Sequence, residues 1–298
     1  MSSTLLLPLP GNEPLAGTIA AAGVGTVGSL NVHEFPDGEK LVRIDASVAE
    51  RHVWLVCSLD FPDNKILPLL FAADAARDLG AASVGLIAPY LAYLRQDRRF
   101  HAGEAISSRP FGRLLSSSFD RLITVDPHLH RYHSLDEVYS IPGLALHAGD
   151  VMAAWIRENV TSPLVIGPDS ESEQWVAEVA RLAGAPYVVC SKIRTGDRNV
   201  QITLPEMGSY LGRQPVLVDD IASSGRTLSV AADGLVAKGF QKPDVVIVHP
   251  LFAGDSFETV GRTARRVVST DTIPHSSNGI SIAPLIANRI KDFQESLA

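Results

Sequence analysis

The chain alternates short, wholly apolar runs with longer segments in which apolar residues recur at helical spacing. The apolar runs predict strands buried on both faces, near residues 53–57, 83–88, 121–125, 164–167, 187–190, 216–219 and 244–248. Helical patterns between them cover Pro68–Leu79, Pro110–Ser117, Val151–Asn159, Trp175–Leu182 and Thr227–Lys238. This alternation predicts an α/β fold with parallel sheets flanked by helices. Residues 30–45 fit either a pair of strands or a projecting hairpin.

Two acidic residues follow the apolar run Val216–Val218, where its strand is expected to end. Asp219 and Asp220 therefore lie at the carboxyl end of a parallel strand, which is where ligands bind in open α/β sheets. The next turn contains small and hydroxylated residues, namely Ser223, Ser224, Gly225 and Thr227. Its backbone N–H groups can close around a phosphate before a helix that begins near Leu228. Carboxylates beside a phosphate cradle predict a ribose 5-phosphate site, and an ordinary strand end with a helix cap is the structural alternative.

The complete pattern of apolar strand, Asp-Asp and Gly-x-Thr resembles the phosphoribosyl diphosphate (PRPP) signature. Phosphoribosyltransferases and PRPP synthetases (ribose-phosphate diphosphokinases) share this signature. The resemblance implies that ribose 5-phosphate is bound by Arg194, Asp219, Asp220, Ser223, Ser224, Gly225, Arg226 and Thr227. Many synthetases have Asp-Thr-Ala-Gly-Thr where this chain has Ser223-Ser-Gly-Arg-Thr227, so one carboxylate is missing and Arg226 stands where Gly is usual.

Two further segments resemble PRPP synthetases in particular. Phe35-Pro-Asp-Gly-Glu39 looks like a family segment that reaches into the ATP site of a neighbouring subunit, and phosphoribosyltransferases have no counterpart. Tyr93-Leu-Arg-Gln-Asp-Arg98 is similar to the segment that contacts the nucleotide in the family. In isolation they would be a surface turn and a solvated charge cluster. The resemblance implies nucleotide binding by Phe35, Asp37, Gly38, Glu39, Arg95, Gln96 and Asp97. It also implies a homo-oligomer, a dimer or a hexamer, with a shared ATP site.

Two more strand ends supply candidate ligands for magnesium. Asp126 and His128 match the family's Asp-x-His, and Asp169 matches the Asp of its Pro-Asp pair. The resemblance implies that His128 and Asp169 serve Mg²⁺, which needs few protein ligands when it is held through a triphosphate. After His128 the chain continues as Leu129-His-Arg-Tyr-His133, whereas the commoner synthetases have a Gln-rich loop. This loop is closer to the archaeal-type branch.

The candidate catalytic residues are Lys192 and Arg194, which follow a predicted strand at Val188–Cys190. PRPP synthetases carry Lys-x-Arg here, on a mobile loop that closes over the transferring diphosphate. A Lys point charge and an Arg fork would stabilise the negative charge that spreads over the phosphate oxygens during transfer. Without the resemblance they are two exposed cations near a strand end.

The resemblance extends over roughly residues 30–290. Val248–Gly254 looks like the family's Thr-His-Gly-x-Phe segment and Thr270–Pro274 like its Thr-Asn-Thr-Ile-Pro. It implies two tandem phosphoribosyltransferase-like domains, 1–145 on the nucleotide side and 146–298 on the ribose 5-phosphate side. The boundary is placed near Ile141–Leu146, a turn-rich break, with the last helix expected to cross back to the first domain.

Composition agrees with a globular enzyme of about two domains, since 298 residues are 46% hydrophobic and 20% charged. The net charge of −7 argues against nucleic acid as a partner, because phosphate backbones require clustered basic residues. The sequence shows neither a signal peptide nor an apolar run of about 18 residues, which predicts a cytoplasmic protein without a membrane partner. Cys57 and Cys190 lie in apolar runs and are expected to be reduced core thiols.

These observations predict a Mg²⁺-dependent PRPP synthetase that transfers diphosphate from ATP to O1 of ribose 5-phosphate and releases AMP. Two alternatives remain open. One is a phosphoribosyltransferase, which would leave Phe35–Glu39 and Lys192–Arg194 without a role. The other is a non-catalytic, synthetase-associated regulatory subunit, against which the retained Lys192, Arg194, His128 and Asp169 argue.

Overall fold

The structure is a computed structural model that describes residues 3–129, 131–169, 172–195 and 199–297, and the side chains of all of these except 192–195 and 199–201. The chain divides into two compact units, Met1–Leu146 with Ala283–Ala298 and His147–Ile282. Each unit is built on one six-stranded sheet and one two-stranded hairpin. The predicted α/β fold with two largely parallel sheets is confirmed.

The first unit contains eight described strands, β1 (Thr4–Pro8), β2 (Thr26–Val27), β3 (Leu30–Glu34), β4 (Lys40–Ile44), β5 (His52–Val56), β6 (Ser83–Ala88), β7 (Arg121–Val125) and β8 (Gly143–Leu146). Its helices are α1 (Glu13–Ile19), which continues as a π-helical turn over Ala20–Val24, α2 (Ile66–Asp78) and α3 (Ser108–Ser118). The parallel sheet has the order β2-β1-β5-β6-β7-β8, and β3 and β4 pair antiparallel. β1, β5 and β6 are buried over nearly their whole length, as expected for strands in a sheet whose two faces are covered.

The second unit has eight described strands of its own, β9 (Pro163–Gly167), β10 (Tyr187–Val189), β11 (Ser191–Thr195), β12 (Asn199–Thr203), β13 (Gln214–Ala222), β14 (Asp244–Pro250), β15 (Arg266–Thr270) and β16 (Asn278–Ile280). Its helices are α4 (Gly149–Asn159), α5 (Glu173–Ala183), α6 (Arg226–Ala237) and α7 (Ser256–Thr263). The parallel sheet has the order β10-β9-β13-β14-β15-β16, and β11 pairs antiparallel with β12. β13 is therefore a central strand of this sheet.

Most predicted elements are found within a few residues of their predicted bounds. The seven apolar runs coincide with strands of the two sheets, and the five helical patterns with α2 to α6. Residues 30–45 form the β3–β4 hairpin. Gly143–Leu146 differs from the expected turn-rich break, because it is the edge strand of the first sheet. The helix after the phosphate turn begins at Arg226, slightly before the predicted Leu228.

The end of the chain returns to the first unit as α8 (Ala283–Ser296). Gln294 Nε2 donates to Thr4 Oγ1 at 2.8 Å and to the Val24 carbonyl oxygen at 2.7 Å. The Phe293 ring lies 3.6 Å from the Arg121 guanidinium, a cation–π contact. Local polar and aromatic contacts therefore hold this helix against the unit in which the chain begins.

Both cysteines are free and buried, as predicted, Cys57 in the first unit and Cys190 in the second. Burial raises the pKa of both thiols to about 12, so neither is a reactive thiolate at neutral pH. Over the residues that the structure describes, no helix has both the length and the apolar character needed to cross a membrane.

Candidate active site

Carboxylates from two neighbouring strands meet at the carboxyl edge of the second sheet. β13 pairs with β9 so that Leu217 lies opposite Ile166, and the strands then continue to Asp219 and Asp169. Asp219 and its neighbour Asp220 are half-buried. The Asp220 N–H donates to Asp219 Oδ1 at 3.0 Å. The parallel topology therefore assembles three of the predicted site residues, although Asp169 is far from the other two in the sequence.

The electrostatics of this edge favour a cation or a ligand that donates hydrogen bonds. Desolvation raises the pKa of Asp219 well above its ordinary value, and the charges of Asp220 and Asp169 raise it further. Concentrated negative charge in a partly buried position costs free energy in the ligand-free protein. Sugar hydroxyls or a divalent cation would relieve this cost.

The turn that follows β13 is held from one side by the loop after β14. The Ser223 carbonyl oxygen accepts a hydrogen bond from the Ala253 N–H at 2.9 Å and another from Ser256 Oγ at 3.0 Å. In a planar trans peptide the C=O and the following N–H point in opposite directions. The N–H of Ser224 is therefore directed away from the Ala253–Ser256 segment, which is the orientation that a phosphate cradle requires.

The preceding peptide is fixed in the same way. The Ala222 carbonyl oxygen accepts from the Phe252 N–H at 2.8 Å, so the Ser223 N–H also points away from that loop. Phe252 in turn packs against the rings of Phe257 and His275, with centroids 5.2 and 5.1 Å away. The turn after β13 thus rests on a packed aromatic cluster that limits its movement.

Gly225 closes the turn, and it is required there for two reasons. Its φ of +64° lies in the left-handed region, which L side chains rarely adopt. A Cβ at this position would also lie 2.6 Å from Val260 Cγ2 and 3.3 Å from the Ser256 carbonyl oxygen. α6 begins immediately afterwards with Arg226 and Thr227, of which Arg226 is exposed. A helix N-terminus with an adjacent cation is suited to binding a phosphate.

The predicted catalytic residues lie on a β-hairpin of the second unit. In the β11–β12 ladder Lys192 is opposite Ile202 and Arg194 is opposite Val200. The side chains of Lys192 and Arg194 and all of residues 196–198 lie outside the described residues. The sequence predicts a strand followed by a polar loop, whereas the structure has an in-sheet strand, β10, followed by this separate hairpin.

The Phe35–Glu39 segment is the turn of the β3–β4 hairpin in the first unit. The Phe35 N–H donates to the Glu39 carbonyl oxygen at 2.8 Å, and the Glu39 N–H donates to Asp37 Oδ1 at 3.1 Å. Gly38 has a φ of +90°, which this tight turn requires. The side chains of Phe35, Asp37 and Glu39 are all exposed. The turn therefore presents an aromatic ring and two carboxylates outward.

The Tyr93–Asp97 segment follows β6 and alternates anchored and exposed side chains. Leu94 and Asp97 are buried, whereas Arg95 and Gln96 between them are exposed. Tyr93 has a φ of +64°, an unusual conformation for a residue with a side chain. The structure thus presents the predicted nucleotide contacts Arg95 and Gln96 outward but turns the Asp97 side chain inward.

His128 lies just beyond the carboxyl end of β7, in the loop that begins with Asp126. Asp126 has a φ of +35°, and its N–H donates to the Leu146 carbonyl oxygen at 2.8 Å. Strained backbone at a strand end is common at functional sites. His128 itself is half-buried. It belongs to the first unit and Asp169 to the second, so each candidate metal ligand is placed by its own sheet.

The described side chains include no group of three or more His, Cys, Asp and Glu residues arranged to hold a metal ion alone. Mg²⁺ commonly uses only one or two carboxylates together with substrate phosphates. The carboxylates of Asp219, Asp220 and Asp169 lie near one another at one edge of the second sheet, and a cation there would neutralise their charge. The donor set therefore fits a Mg²⁺ ion that arrives with a phosphorylated substrate.

Three residues that support these segments are not predicted from the sequence: Arg131, Tyr132 and Ser256. Arg131 and Tyr132 contact Asp97, and Ser256 contacts the phosphate turn. The unusual loop Leu129–His133 is the signal that could have identified the first two. Ser256 opens a short helix in the manner of many serines, so no sequence signal distinguishes it.

Two family profiles match the chain. The profile of the N-terminal domain of ribose phosphate pyrophosphokinase matches residues 4–118. The phosphoribosyl transferase domain profile matches residues 134–283. Together they cover the Phe35–Glu39 and Tyr93–Asp97 segments and the strand ends that carry Asp169 and Asp219, whereas His128 lies between the two matched ranges.

Several proteins are similar to nearly the whole chain. Ribose-phosphate pyrophosphokinase of Halobacterium salinarum is 32% identical over 290 residues, which cover 96% of this chain and 100% of that protein. The enzyme of Methanothermobacter thermautotrophicus is 31% identical over 97% of this chain and 100% of its own length. The crystal structure of phosphoribosylpyrophosphate synthetase from Mycobacterium smegmatis is 25% identical, has a TM-score of 0.84, and is matched over 99% of this chain and 100% of that one. The chain belongs to the ribose-phosphate pyrophosphokinase family.

Proposed function

We propose that this protein transfers diphosphate from ATP to O1 of D-ribose 5-phosphate, giving PRPP and AMP, with Mg²⁺ as its cofactor. The observation that carries the proposal is the position of Asp219 and Asp220 with the Ser223–Gly225 turn at the carboxyl end of the central strand β13. This combination of carboxylates and backbone N–H groups is suited to ribose hydroxyls and a 5-phosphate. Membership of the family supplies the reaction.

In the second unit the local geometry supports the proposed roles. Asp219 and Asp220 would accept hydrogen bonds from ribose hydroxyls. The 5-phosphate would be held by the turn and the start of α6, through Ser223, Ser224, Gly225, Arg226 and Thr227. Binding in this place would fix the position of the ribose O1 hydroxyl, and such positioning contributes much of the acceleration in phosphoryl transfer.

In the reaction, the O1 oxygen forms a bond to the β-phosphorus of ATP. The bond from that phosphorus to the bridging oxygen of the α-phosphate breaks, AMP leaves, and the O1 proton is released. We assign Lys192 and Arg194 to stabilising the charge on the transferring phosphate oxygens, with Arg194 also contacting ribose 5-phosphate. His128 of the first unit and Asp169 of the second are each assigned to Mg²⁺, which when bound supplies further neutralisation of phosphate charge.

The nucleotide would be bound by exposed groups of the first unit. Arg95 and Gln96 would contact ATP, joined by the hairpin-turn residues Phe35, Asp37, Gly38 and Glu39 of a neighbouring subunit. The outward-facing turn supports this arrangement, because a ring and carboxylates that are exposed in one chain can serve a second. We therefore propose an active homo-oligomer with a shared ATP site. The two buried free thiols fit a reducing, cytoplasmic location.

A coupled assay for AMP and PRPP, with Mg²⁺, ATP and ribose 5-phosphate, tests the reaction. Lys192→Ala is expected to reduce turnover by about 10²–10³, the cost of removing one transition-state donor. Asp219→Ala is expected to abolish ribose 5-phosphate binding. Lys291→Ala, an exposed lysine on α8, is the matched control and should retain full turnover.

Two outcomes would refute the synthetase assignment. Folded wild-type protein that binds ATP but makes no PRPP would indicate a regulatory subunit. Consumption of PRPP with release of diphosphate in the presence of a nucleobase would indicate a phosphoribosyltransferase. Full turnover per chain in a monomer at high dilution would refute the shared ATP site alone.

A further inference from the structure

The loop after β7 holds the carboxyl end of the Tyr93–Asp97 segment. Arg131 Nη1 donates to both carboxylate oxygens of Asp97, at 2.8 and 2.9 Å. Tyr132 Oη donates to the Asp97 carbonyl oxygen at 3.4 Å and forms a hydrogen bond of 3.0 Å with Ser108 Oγ. The Asp97 side chain is only 2% exposed, whereas that of Arg131 is 44% exposed. The carboxylate therefore faces its arginine and not the solvent.

We infer that Asp97 and Arg131 are a positioning pair that orients Arg95 and Gln96 toward the nucleotide, and that Asp97 does not itself contact ATP. The inference rests on the proposed function, because it concerns the nucleotide site of that reaction. Leu94 and Asp97 anchor the two ends of a short turn, and the exposed pair lies between them. With one anchor released, the backbone that carries both exposed side chains is no longer held at its carboxyl end.

Two further contacts orient Gln96 itself. Ser107 Oγ donates to Gln96 Oε1 at 2.6 Å, and the Ser108 N–H donates to the Gln96 carbonyl oxygen at 3.4 Å. Ser108 is also the residue that Tyr132 contacts. The loop after β7, the start of α3 and the turn that carries Gln96 are thus joined by one set of hydrogen bonds, which also includes the Asp97–Arg131 ion pair.

The charge balance predicts how the pair will respond to substitution. A buried carboxylate without its partner is costly, because it has lost hydration and gained nothing in exchange. Removing Arg131 would leave Asp97 in that state, and the turn would have to shift to hydrate the carboxylate. Replacing Asp97 by Asn removes the charge that needs a partner. The loss of Arg131 is therefore expected to be more damaging than the loss of the Asp97 charge.

Arg131 belongs to the loop in which this chain departs from the commoner synthetases, Leu129–His133. The same loop follows directly on the proposed metal ligand His128. The pair thus links two parts of the proposed nucleotide site within one unit. General family motifs do not identify this link, since it depends on an arginine outside them.

The test uses the full-length protein with four variants: Arg131→Met, Arg131→Lys, Asp97→Asn and the double variant Asp97→Asn/Arg131→Met. Arg131→Met is expected to raise KM for ATP about tenfold, equivalent to about 1.4 kcal/mol, with KM for ribose 5-phosphate changed by less than about twofold. Adding Asp97→Asn is expected to restore KM for ATP to within about threefold of wild type. Arg289→Met, which breaks an exposed ion pair with Asp292 in the same unit, is the matched control.

A direct ATP contact by Asp97 would give the opposite order of effects. Asp97→Asn alone would then weaken ATP binding most, the double variant would show no recovery, and the inference would be wrong. Equal increases in both KM values would also overturn it, because they would indicate general damage. If Arg131→Met does not fold, Arg131→Lys is expected to raise KM for ATP about threefold, again with recovery by Asp97→Asn.

This test is separable from that of the proposed reaction. If the wild-type protein makes no PRPP, the proposed function fails. The dissociation constant of ATP can then be measured by calorimetry in the same variants. Recovery of ATP affinity in the double variant would support the positioning pair, and its absence would refute it.

Discussion

Gly225→Ala tests whether the conformation of the phosphate turn determines ribose 5-phosphate binding. Two separate costs are expected at this position. An alanine at φ +64° adopts the left-handed region, which costs about 1–2 kcal/mol. Its Cβ would also lie 2.6 Å from Val260 Cγ2, far inside ordinary contact distance, and such overpacking costs about 1–3 kcal/mol. The two costs together predict a loss of about 2–5 kcal/mol in unfolding free energy.

A second glycine of the same unit separates the two costs. Gly184 has a nearly identical φ of +65°, but no atom lies within 4 Å of the position that a Cβ would occupy. Gly184→Ala is therefore expected to cost only the backbone term, about 1–2 kcal/mol. If Gly225→Ala loses more unfolding free energy than Gly184→Ala, the difference measures the clash of the added Cβ with α7.

Urea unfolding and steady-state kinetics of the two variants provide the measurement. The urea midpoint is expected to fall in the order wild type, Gly184→Ala, Gly225→Ala. Only Gly225→Ala is expected to raise KM for ribose 5-phosphate, by about tenfold or more, because relief of the clash moves the peptide that points its N–H at the phosphate. Equal midpoints for the two alanine variants, or an unchanged KM in Gly225→Ala, would refute the reasoning.

Three further outcomes are expected. Because the pKa of Asp219 is raised in the folded protein, its contribution to stability is complete below its unfolded pKa of about 3.9 and is lost as pH rises through the folded pKa. Asp219→Asn should therefore raise the urea midpoint at pH 7 in Mg²⁺-free buffer, and it should also remove turnover. Asp244→Asn should lower unfolding free energy by about 1.5–3 kcal/mol with kcat unchanged, because it weakens the hydrogen bonds that Arg265 and Arg266 donate to this fully buried carboxylate at the amino end of β14, and the charges left behind are the partly exposed ones of the arginines. Ser256→Ala should raise KM for ribose 5-phosphate about threefold, as measured beside the control Thr259→Ala, which removes an exposed hydrogen bond of the same helix.

The fold was largely predictable because the central strands of its two parallel sheets are apolar over most of their length. Val53–Val56 and Val245–Val248 show this clearly, since both faces of their sheets are covered. Prediction was weaker where burial is partial. The edge strand at Gly143–Leu146 has an alternating burial pattern and a glycine start, so its sequence favours a turn as much as a strand.

The candidate site was predictable where a residue with a suitable side chain directly follows a predicted strand. Asp219 follows its own strand directly, so the sequence alone places it at a sheet edge. Asp97 shows the limit, because its neighbours in sequence predict a ligand while its partner Arg131 lies 34 residues further on. Which charged side chains turn inward depends on such long-range pairs, and no local pattern encodes them.

In the second unit, the amino end of β14 carries a carboxylate that is paired within the chain, whereas the carboxyl end of β13 carries the carboxylates proposed to bind the ligand. At the amino end Asp244 is fully buried and paired with both Arg265 and Arg266, so its charge is balanced within the chain. At the carboxyl end burial raises the pKa of Asp219, and the charges of the neighbouring carboxylates Asp220 and Asp169 raise it further. A ligand that balances this charge binds the folded state alone and stabilises it by RT ln(1 + [L]/Kd), about 2.7 kcal/mol at a hundred times Kd. Ligand binding thus offsets the free energy that the carboxylates cost the ligand-free unit at this edge. For this reason Asp219→Asn is expected to raise the stability of the ligand-free protein while it removes activity.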